Sequence, residues 1–318
     1  MDLIYTTAER VDVGVISAYA FDLSYGADEN DFEITIGVDN NILEFDGFIY
    51  IEGTEYGGIV DLLKATTNGD AVTYCGRTWH GLLNSKVIQP DEGQNYYTIT
   101  GDANSALAVL IDRLGLSGLF MADSKASGIN ISKYQFKRYC KGYDGIMDML
   151  SSVNAKLKIE WLNRSVVLSA VPIVDYSESP IDCDTANLSV EKHQNKVNHL
   201  ICLGKGELAE REVLHLYVDS FGKIGKTQYY SGVEEFADVY DNSNAEDLET
   251  ESINKFKELI NSDKAEISLT ENNERIYDIG DIVGASEIKT GVNVSAAVCQ
   301  KIVKINNGAI SIEYKTGS

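Results

Sequence analysis

The chain has 318 residues and a formal net charge of −22, with 27 Lys and Arg set against 49 Asp and Glu. So negative a surface repels phosphate backbones, which argues against stable nucleic-acid binding and otherwise serves solubility. Five cysteines (Cys75, Cys140, Cys183, Cys202, Cys299) are scattered without a CxxC pair, so the expectation is reduced thiols rather than a disulfide framework.

With 44% hydrophobic and 24% charged residues, the chain has material for two or three cores. Frequent glycine (27), rare proline (3) and 18 tyrosines suit β-rich domains with tight turns. The opening stretch MDLIYTTAERVDVGVISAYAF has no basic region ahead of an apolar run. No apolar run approaches the roughly 18 residues of a membrane span, so synthesis in the cytoplasm without a membrane anchor is expected.

The first hundred residues read as strands. DFEITI (31–36) and FIYIEG (48–53) are short, β-branched or aromatic, and bounded by Asp, Asn and Gly. Asn68-Gly69 stands between two apolar runs and predicts a hairpin, because both residues tolerate positive φ. RTWHGLLNSKVI then offers a short helical turn with Trp79, Leu82 and Leu83 on one side.

After about residue 100 the period changes. Leu107, Leu110, Ile111 and Leu114 predict an amphipathic helix capped by Asp102 or Asn104 and ended by Gly115. Ile146, Met149, Leu150 and Val153 predict a second helix, with Asp144 as N-cap. KLKIEW (156–161) alternates strictly, with Leu157, Ile159 and Trp161 inward, and Asn163-Arg164 turns the chain into SVVLSAV. This middle segment reads as an α+β module, two helices on a small sheet.

From 188 the chain returns to strands, NHLICLG (198–204) and REVLHLYVD (211–219). A third helix is expected in 242–262, capped by Asn244, with Ile253, Phe256 and Ile260 on its buried side. NVSAAVCQKIVKI, a turn at Asn306-Asn307-Gly308 and AISIEY make a closing hairpin.

Several motifs invite chemistry. GKIGKT (222–227) has the glycines and the Lys226-Thr227 ending of a phosphate loop. However, two residues rather than four separate Gly222 from Gly225, and the following TQYYSGV favours strand over helix, so a hairpin loop is the reading. Four histidines (His80, His193, His199, His215) with Cys183 and Cys202 suggest zinc. Yet His199 and Cys202 lie three apart on a predicted strand and point to opposite faces, and the spacing fits no compact finger. Cys202 reads as a small buried apolar residue, and Trp79 beside His80 as a core or domain-interface anchor. DNSNAEDLETE (241–251) lacks the central glycine and ligand spacing of a calcium loop. No GxSxG or cysteine signature marks a nucleophile, so no catalytic, cofactor-binding or metal residue is assigned.

Two stretches carry a family likeness. VNHLICLGKGELAEREVLHLYVD (197–219), through Asn198-His199, Gly204, Gly206-Glu207, Arg211 and His215-Leu216-Tyr217, resembles the signature region of the tail-hub family of siphophages and prophages of Gram-positive bacteria. YCGRTWHGLLNSKVI (74–88) is similar to an earlier segment of that family, and YDIGDIVGA (277–285) agrees in order. The resemblance implies a structural baseplate role related to the hub of the T-even tail tube. It also implies a homotrimer on assembly, with a distal tail or tube protein, a tape-measure protein and tip or receptor-binding proteins as partners. The place would be the virion tail tip, with synthesis in the host bacterial cytoplasm.

The fold expected is α+β, two β-barrel-like tube domains interleaved with an α+β module. The boundaries are 1–98 for an N-terminal β-barrel-like domain and 99–187 for the module, with 207–265 as an inserted helical and strand extension. Segments 188–206 and 266–318 would make the second β-barrel-like domain. A threefold ring of such chains would present six near-equivalent positions to a sixfold tube. Carboxylates facing its channel would let DNA slide past, and only lumen-facing acids would matter at a Debye length of roughly 8 Å. A peptidoglycan hydrolase using paired acids and a receptor- or carbohydrate-binding tail module are the alternatives.

Overall fold

The computed structural model describes residues 2–40, 43–65, 69–178, 181–182, 187–190, 197–220, 222–243, 247–260, 265–268, 276–287, 292–306 and 308–317. The chain forms two compact units, Met1–Leu188 with Ile267–Thr316, and Ser189–Glu266 with Gly317–Ser318.

The first unit begins with seven strands: β1 (Leu3–Thr6), β2 (Asp12–Ile16), β3 (Tyr19–Gly26), β4 (Asp31–Gly37), β5 (Phe48–Tyr50), β6 (Gly57–Ala65) and β7 (Ala71–Thr78). Alternation sets their faces. Tyr19, Phe21, Leu23 and Tyr25 of β3 and Phe32, Ile34 and Ile36 of β4 are buried on one side. β6 and β7 pair antiparallel up to Ala65↔Val72, the hairpin expected around Asn68-Gly69, although Asn68 lies outside the described residues. Thr78 then caps α1 (Trp79–Asn84), its hydroxyl accepting from the Gly81 N–H.

The middle segment continues through β8 (Val87–Ile88), β9 (Thr98–Asp102), α2 (Ala103–Arg113), β10 (Phe120–Ala122), β11 (Asn130–Gln135), β12 (Cys140–Lys141), α3 (Gly142–Ser151), β13 (Ala155–Leu162) and β14 (Ser165–Pro172). β10, β14 and β13 form a three-stranded sheet. Leu107, Leu110 and Ile111 of α2 and Ile146, Met149 and Leu150 of α3 share one core with Leu157, Ile159 and Trp161 of β13. Asp102 caps α2 as expected, its carboxylate accepting from the Asn104 N–H at 2.9 Å. For α3 the expected cap is corrected: Lys141 holds the N-cap position and Asp144 sits in the first turn. Pairing of Lys141 with Val87, and of the Gly142 N–H with the Lys86 carbonyl, delivers the chain to the helix early. Gly142 permits this approach, since a Cβ there would lie 2.4 Å from the Leu83 carbonyl oxygen.

The chain passes between units within β16 (Asn187–Val190), which follows β15 (Ile181–Asp182), and within β21 (Ala265–Ser268). The first unit resumes with β22 (Ile282–Glu287), β23 (Val292–Asn306) and β24 (Ala309–Gly317). An eleven-stranded sheet runs β15-β22-β23-β3-β4-β7-β6-β5-β1-β2, with β24 beside β23. Along this path the described strands make one open sheet rather than two closed barrels. The reason lies in the 15 residues of β23. Its first half pairs with β22 (Val292↔Glu287 to Ala297↔Ile282) and its second half with β3 (Gln300↔Gly26 to Asn306↔Ala20), joining the two β blocks. At Gly26, with φ +136, a Cβ would lie 2.2 Å from the Cys299 carbonyl oxygen, so β23 closes against a residue that must be glycine.

The second unit holds β17 (His199–Leu203), β18 (Val213–Val218), β19 (Ile224–Gly225), β20 (Ala237–Asp241) and α4 (Leu248–Ile260). The strands form a sheet β19-β18-β17-β20, with β20 parallel to β17. Strands 199–203 therefore pair within this unit, and strands 282–317 pair in the other, so the expected grouping of 188–206 with 266–318 is not the pairing found. α4 buries Phe256, with Ile253 and Ile260 beside it, against Leu200, Cys202, Leu216 and Val218. Asp247 begins the helix, accepting from the Thr250 N–H at 3.1 Å, whereas the expected cap Asn244 lies outside the described residues.

Candidate functional site

In the first unit, the residues singled out around Trp79 occupy an aromatic junction. Trp79 is fully buried and stacks on Trp161 with ring centroids 5.1 Å apart. Tyr50 also stacks on Trp161, at 4.3 Å, and Phe48 meets both indoles edge-on. Alternation on β5 and β13, with Trp79 at the start of α1, brings these rings together. Trp79 is a core anchor.

His80 faces a separate buried cluster. Lys301 of β23 donates to Glu55 Oε1 at 2.6 Å, and the Tyr25 hydroxyl donates to the same oxygen at 2.6 Å. His80 Nε2 stands 3.8 Å from Glu55 Oε2, and its ring stacks on Tyr25 at 4.2 Å. The rings of Tyr56 and Tyr314 lie 5.8 and 5.9 Å from the Lys301 ammonium. Burial pushes His80 down to about 4, with Glu55 opposing and Lys301 adding to the shift, so the ring is neutral near pH 7. Burial alone would raise Glu55, but Lys301 and His80 outweigh it and hold the carboxyl below its ordinary value. Burial likewise works against the charge of Lys301, and Glu55 overcomes it, so the ammonium titrates higher than usual. These groups tie together β3, the turn before β6, α1 and the closing hairpin.

In the second unit the sheet has two unlike faces. Leu200, Cys202, Leu216 and Val218 point toward α4. Residues of opposite parity, among them His199, Ile201, His215, Tyr217 and Val239, stand on the other face, in register through His199↔Tyr217, Ile201↔His215 and Ile201↔Val239. On it, His199 Nδ1 lies 2.6 Å from Glu235 Oε1 and His199 Nε2 lies 2.8 Å from His215 Nδ1. Tyr217 stacks on His199 at 4.3 Å. His199 and Cys202 thus occupy opposite faces as the alternation predicts, and Cys202 is fully buried in the apolar core. His193 and Cys183 lie outside the described residues. The sequence alone did not reveal the partnership of His199, His215 and Glu235. Its members stand 16 and 36 positions from His199, and only the strand register joins them.

The glycine-rich loop at 222–227 is a hairpin turn. Tyr217 pairs with Gly225 and Val218 with Ile224, while Asp219 Oδ1 accepts from the Lys223 N–H at 2.9 Å. Lys226 is paired with Glu249 of α4 at 2.8 Å, and residues 226–231, directly after the turn, form no helix. Nearby acids have local partners too: Asp241 binds Arg211 in a forked ion pair, and Asp247 accepts from the Thr250 hydroxyl at 2.7 Å. At the end of the large sheet, β2 pairs with β1 and exposes Val13 and Val15, at 53 and 52%, with Val11 just before it exposed at 55%. No described helix is long and apolar enough to cross a membrane.

No protein-family model and no curated protein sequence matches the chain. Solved structures do share its fold. It is similar to a tail protein from Neisseria meningitidis, with TM-score 0.58 and 10% identity over 100% of this chain and 96% of that one. The prophage tail protein gp18 from Listeria monocytogenes aligns with TM-score 0.57 and 12% identity over 99% of this chain and 94% of that one. The 43 kDa tail protein of prophage MuSo2 from Shewanella oneidensis gives TM-score 0.60 and 8% identity over 99% and 97%. The fold is that of phage and prophage tail proteins, in agreement with the family likeness drawn from 197–219 and 74–88.

Proposed function

We propose that the chain is a structural hub of a phage or prophage tail, a trimeric ring that joins the tail tube to host-facing tip proteins and leaves a channel for DNA. One observation carries this reading: the fold matches tail proteins along nearly their whole lengths, 94 to 97%, and along all or nearly all of this chain. Such length-wide agreement at 8 to 12% identity reflects a shared architecture. The exposed Val13 and Val15 of β2, with Val11 just before them, suit a protein whose task is contact with other chains, since an open sheet edge with apolar side chains is costly on a protein that stays alone.

In this reading the chain is not an enzyme. Three copies meet head-to-tail through unlike faces, and the partners are a distal tail or tube protein, a tape-measure protein and tip or receptor-binding proteins. Part of the −22 charge faces the channel and keeps DNA from adhering. Light scattering on the purified chain, with and without the tube protein, gives the mass of a trimer in at least one condition. Electron microscopy of particles made without the chain shows tails that lack a closed tip. Complete, infectious tails without it, or clearing of host cell walls by the purified protein in a zymogram, overturn the proposal. A basic channel in the assembled ring overturns the charge argument alone.

A further inference from the structure

The hairpin between β17 and β18 carries the sequence GKGELAERE (204–212), and its tip holds a leucine in the open. The base of this loop is fastened. The Gly204 N–H donates to the Glu212 carbonyl and the Glu212 N–H to the Lys205 carbonyl, each at 2.8 Å. Arg211 Nε donates to the Gly204 carbonyl at 3.1 Å, while its guanidinium forks onto Asp241 of β20. At the tip, the Glu210 N–H donates to the Glu207 carbonyl at 3.1 Å and the Arg211 N–H to the Leu208 carbonyl at 3.3 Å, closing a short 3-10 turn over Leu208–Glu210. Gly206, at φ +98, admits that turn, since a Cβ there would lie 2.7 Å from the Glu210 carbonyl oxygen.

Leu208 is unfavourable on two counts. Its side chain is 95% exposed, and its φ of +52 lies in the left-handed region, where a leucine Cβ crowds the backbone and glycine or asparagine sits more easily. A loop that stays in solvent gains nothing from leucine at that position, whereas burial of the side chain in another molecule offsets both. Glu207 and Glu210 flank it, both exposed, and neither forms an ion pair among the described residues. Arg211 is already committed to Asp241.

We propose that loop 204–212 is a docking finger, with Leu208 entering an apolar socket on another tail protein and Glu207 and Glu210 meeting lysine or arginine on the rim of that socket. The inference rests on the hub reading, which supplies the class of partner. Charge selects a different protein over a second copy, because a second copy brings the same −22 to the contact. The apolar tip holds the complex together, and the rim carboxylates steer its approach and fix its register.

Each purified tail protein of the particle (tube, tape-measure and tip) is titrated with the full chain, and benzoylphenylalanine placed at position 208 is photo-crosslinked in assembled tails. One protein other than the chain itself binds and takes the crosslink, at a site with lysine or arginine beside apolar residues. Leu208→Gly, which relaxes the backbone, weakens that binding by about tenfold or more while leaving the urea midpoint no lower than in wild type. Glu207→Lys combined with Glu210→Lys also weakens it, and abolishes the loss of affinity that added salt causes in wild type. Equal binding by wild type and Leu208→Gly, crosslinks to a second copy, or no crosslink overturns the finger. Closed tips and full infectivity with Leu208→Gly, beside tipless particles when the chain is absent, overturn the finger and leave the hub proposal standing.

Discussion

Each unit contains a glutamate joined to histidine, and the two clusters behave differently because of what surrounds them. Glu55 is enclosed by Lys301, Tyr25 and His80, with aromatic rings of Tyr56 and Tyr314 packed around the ammonium. There a charge survives only through its partners, and the cluster fastens strands that are far apart in sequence. Glu235 and His199 sit instead on the sheet face away from α4 and end in the exposed His215. One set of side chains is enclosed on every side, and the other ends at an exposed imidazole. The exposed ring of His215 makes the difference, since the two histidine–glutamate pairs are covered to a similar degree.

The contrast is broken most forcefully in the first unit. Trp161→Ala removes the ring on which Trp79 and Tyr50 both stack, and the cavity costs about 3–5 kcal/mol. Urea unfolding followed by the fluorescence of the remaining Trp79 measures that loss. Lys301→Met comes next, destabilising by about 3 kcal/mol, because Glu55 loses its counter-charge while remaining largely covered, at 20% side-chain exposure. Adding Glu55→Gln to Lys301→Met restores part of the loss if the uncompensated charge is the cause, and none of it if packing alone matters.

Acid sharpens the comparison further. His80 is held at about 4 in the fold, below the ordinary value near 6.5, so between these values the unfolded chain takes up a proton that the folded chain refuses. Stability therefore falls as pH drops from about 6.5 to 4, by about 2–3 kcal/mol from this residue. Glu55, whose value is lowered in the fold, adds stability that is present above its unfolded value and lost as pH falls through the depressed one. Lys301, whose value is raised, contributes in full below its unfolded value and loses that contribution as pH rises through the folded one. Urea midpoints at pH 7 and pH 4.5 for wild type and His80→Gln isolate the histidine: the variant loses less stability on acidification. The smallest effect belongs to the second unit. His215→Ala changes stability by less than about 0.5 kcal/mol, as befits an exposed side chain, and a loss comparable to that of Lys301→Met would mean the two clusters are alike.

Much of the local structure was legible in the residues. The 3.6-residue stripe of Leu107, Leu110 and Ile111, the alternation of Leu157, Ile159 and Trp161, and the spacing failure of GKIGKT each describe a neighbourhood of a few residues, where periodicity and turn chemistry act directly. Asp144 shows where such reasoning slips. It has the residue type of a cap, but the pairing of Lys141 with Val87 sets the start of α3. The same cause hid the joining of the two β blocks. Nothing in NVSAAVCQKIVKI says that one strand will serve two partners, β22 and β3, in succession. The cluster around Glu55 was equally hidden, since Lys301 and Glu55 stand 246 positions apart.

The sequence by itself determined the elements: which segments are strand or helix, which face of each is apolar, and that loop 222–227 turns rather than grips a phosphate. Those properties follow from dihedral preferences and side-chain period, which are local. Only the tertiary structure decided that the closing strands join the N-terminal sheet, that His80 is buried neutral beside Glu55, and that His199 meets His215. Contacts between distant residues depend on register, and register is settled by the whole set of faces burying themselves at once.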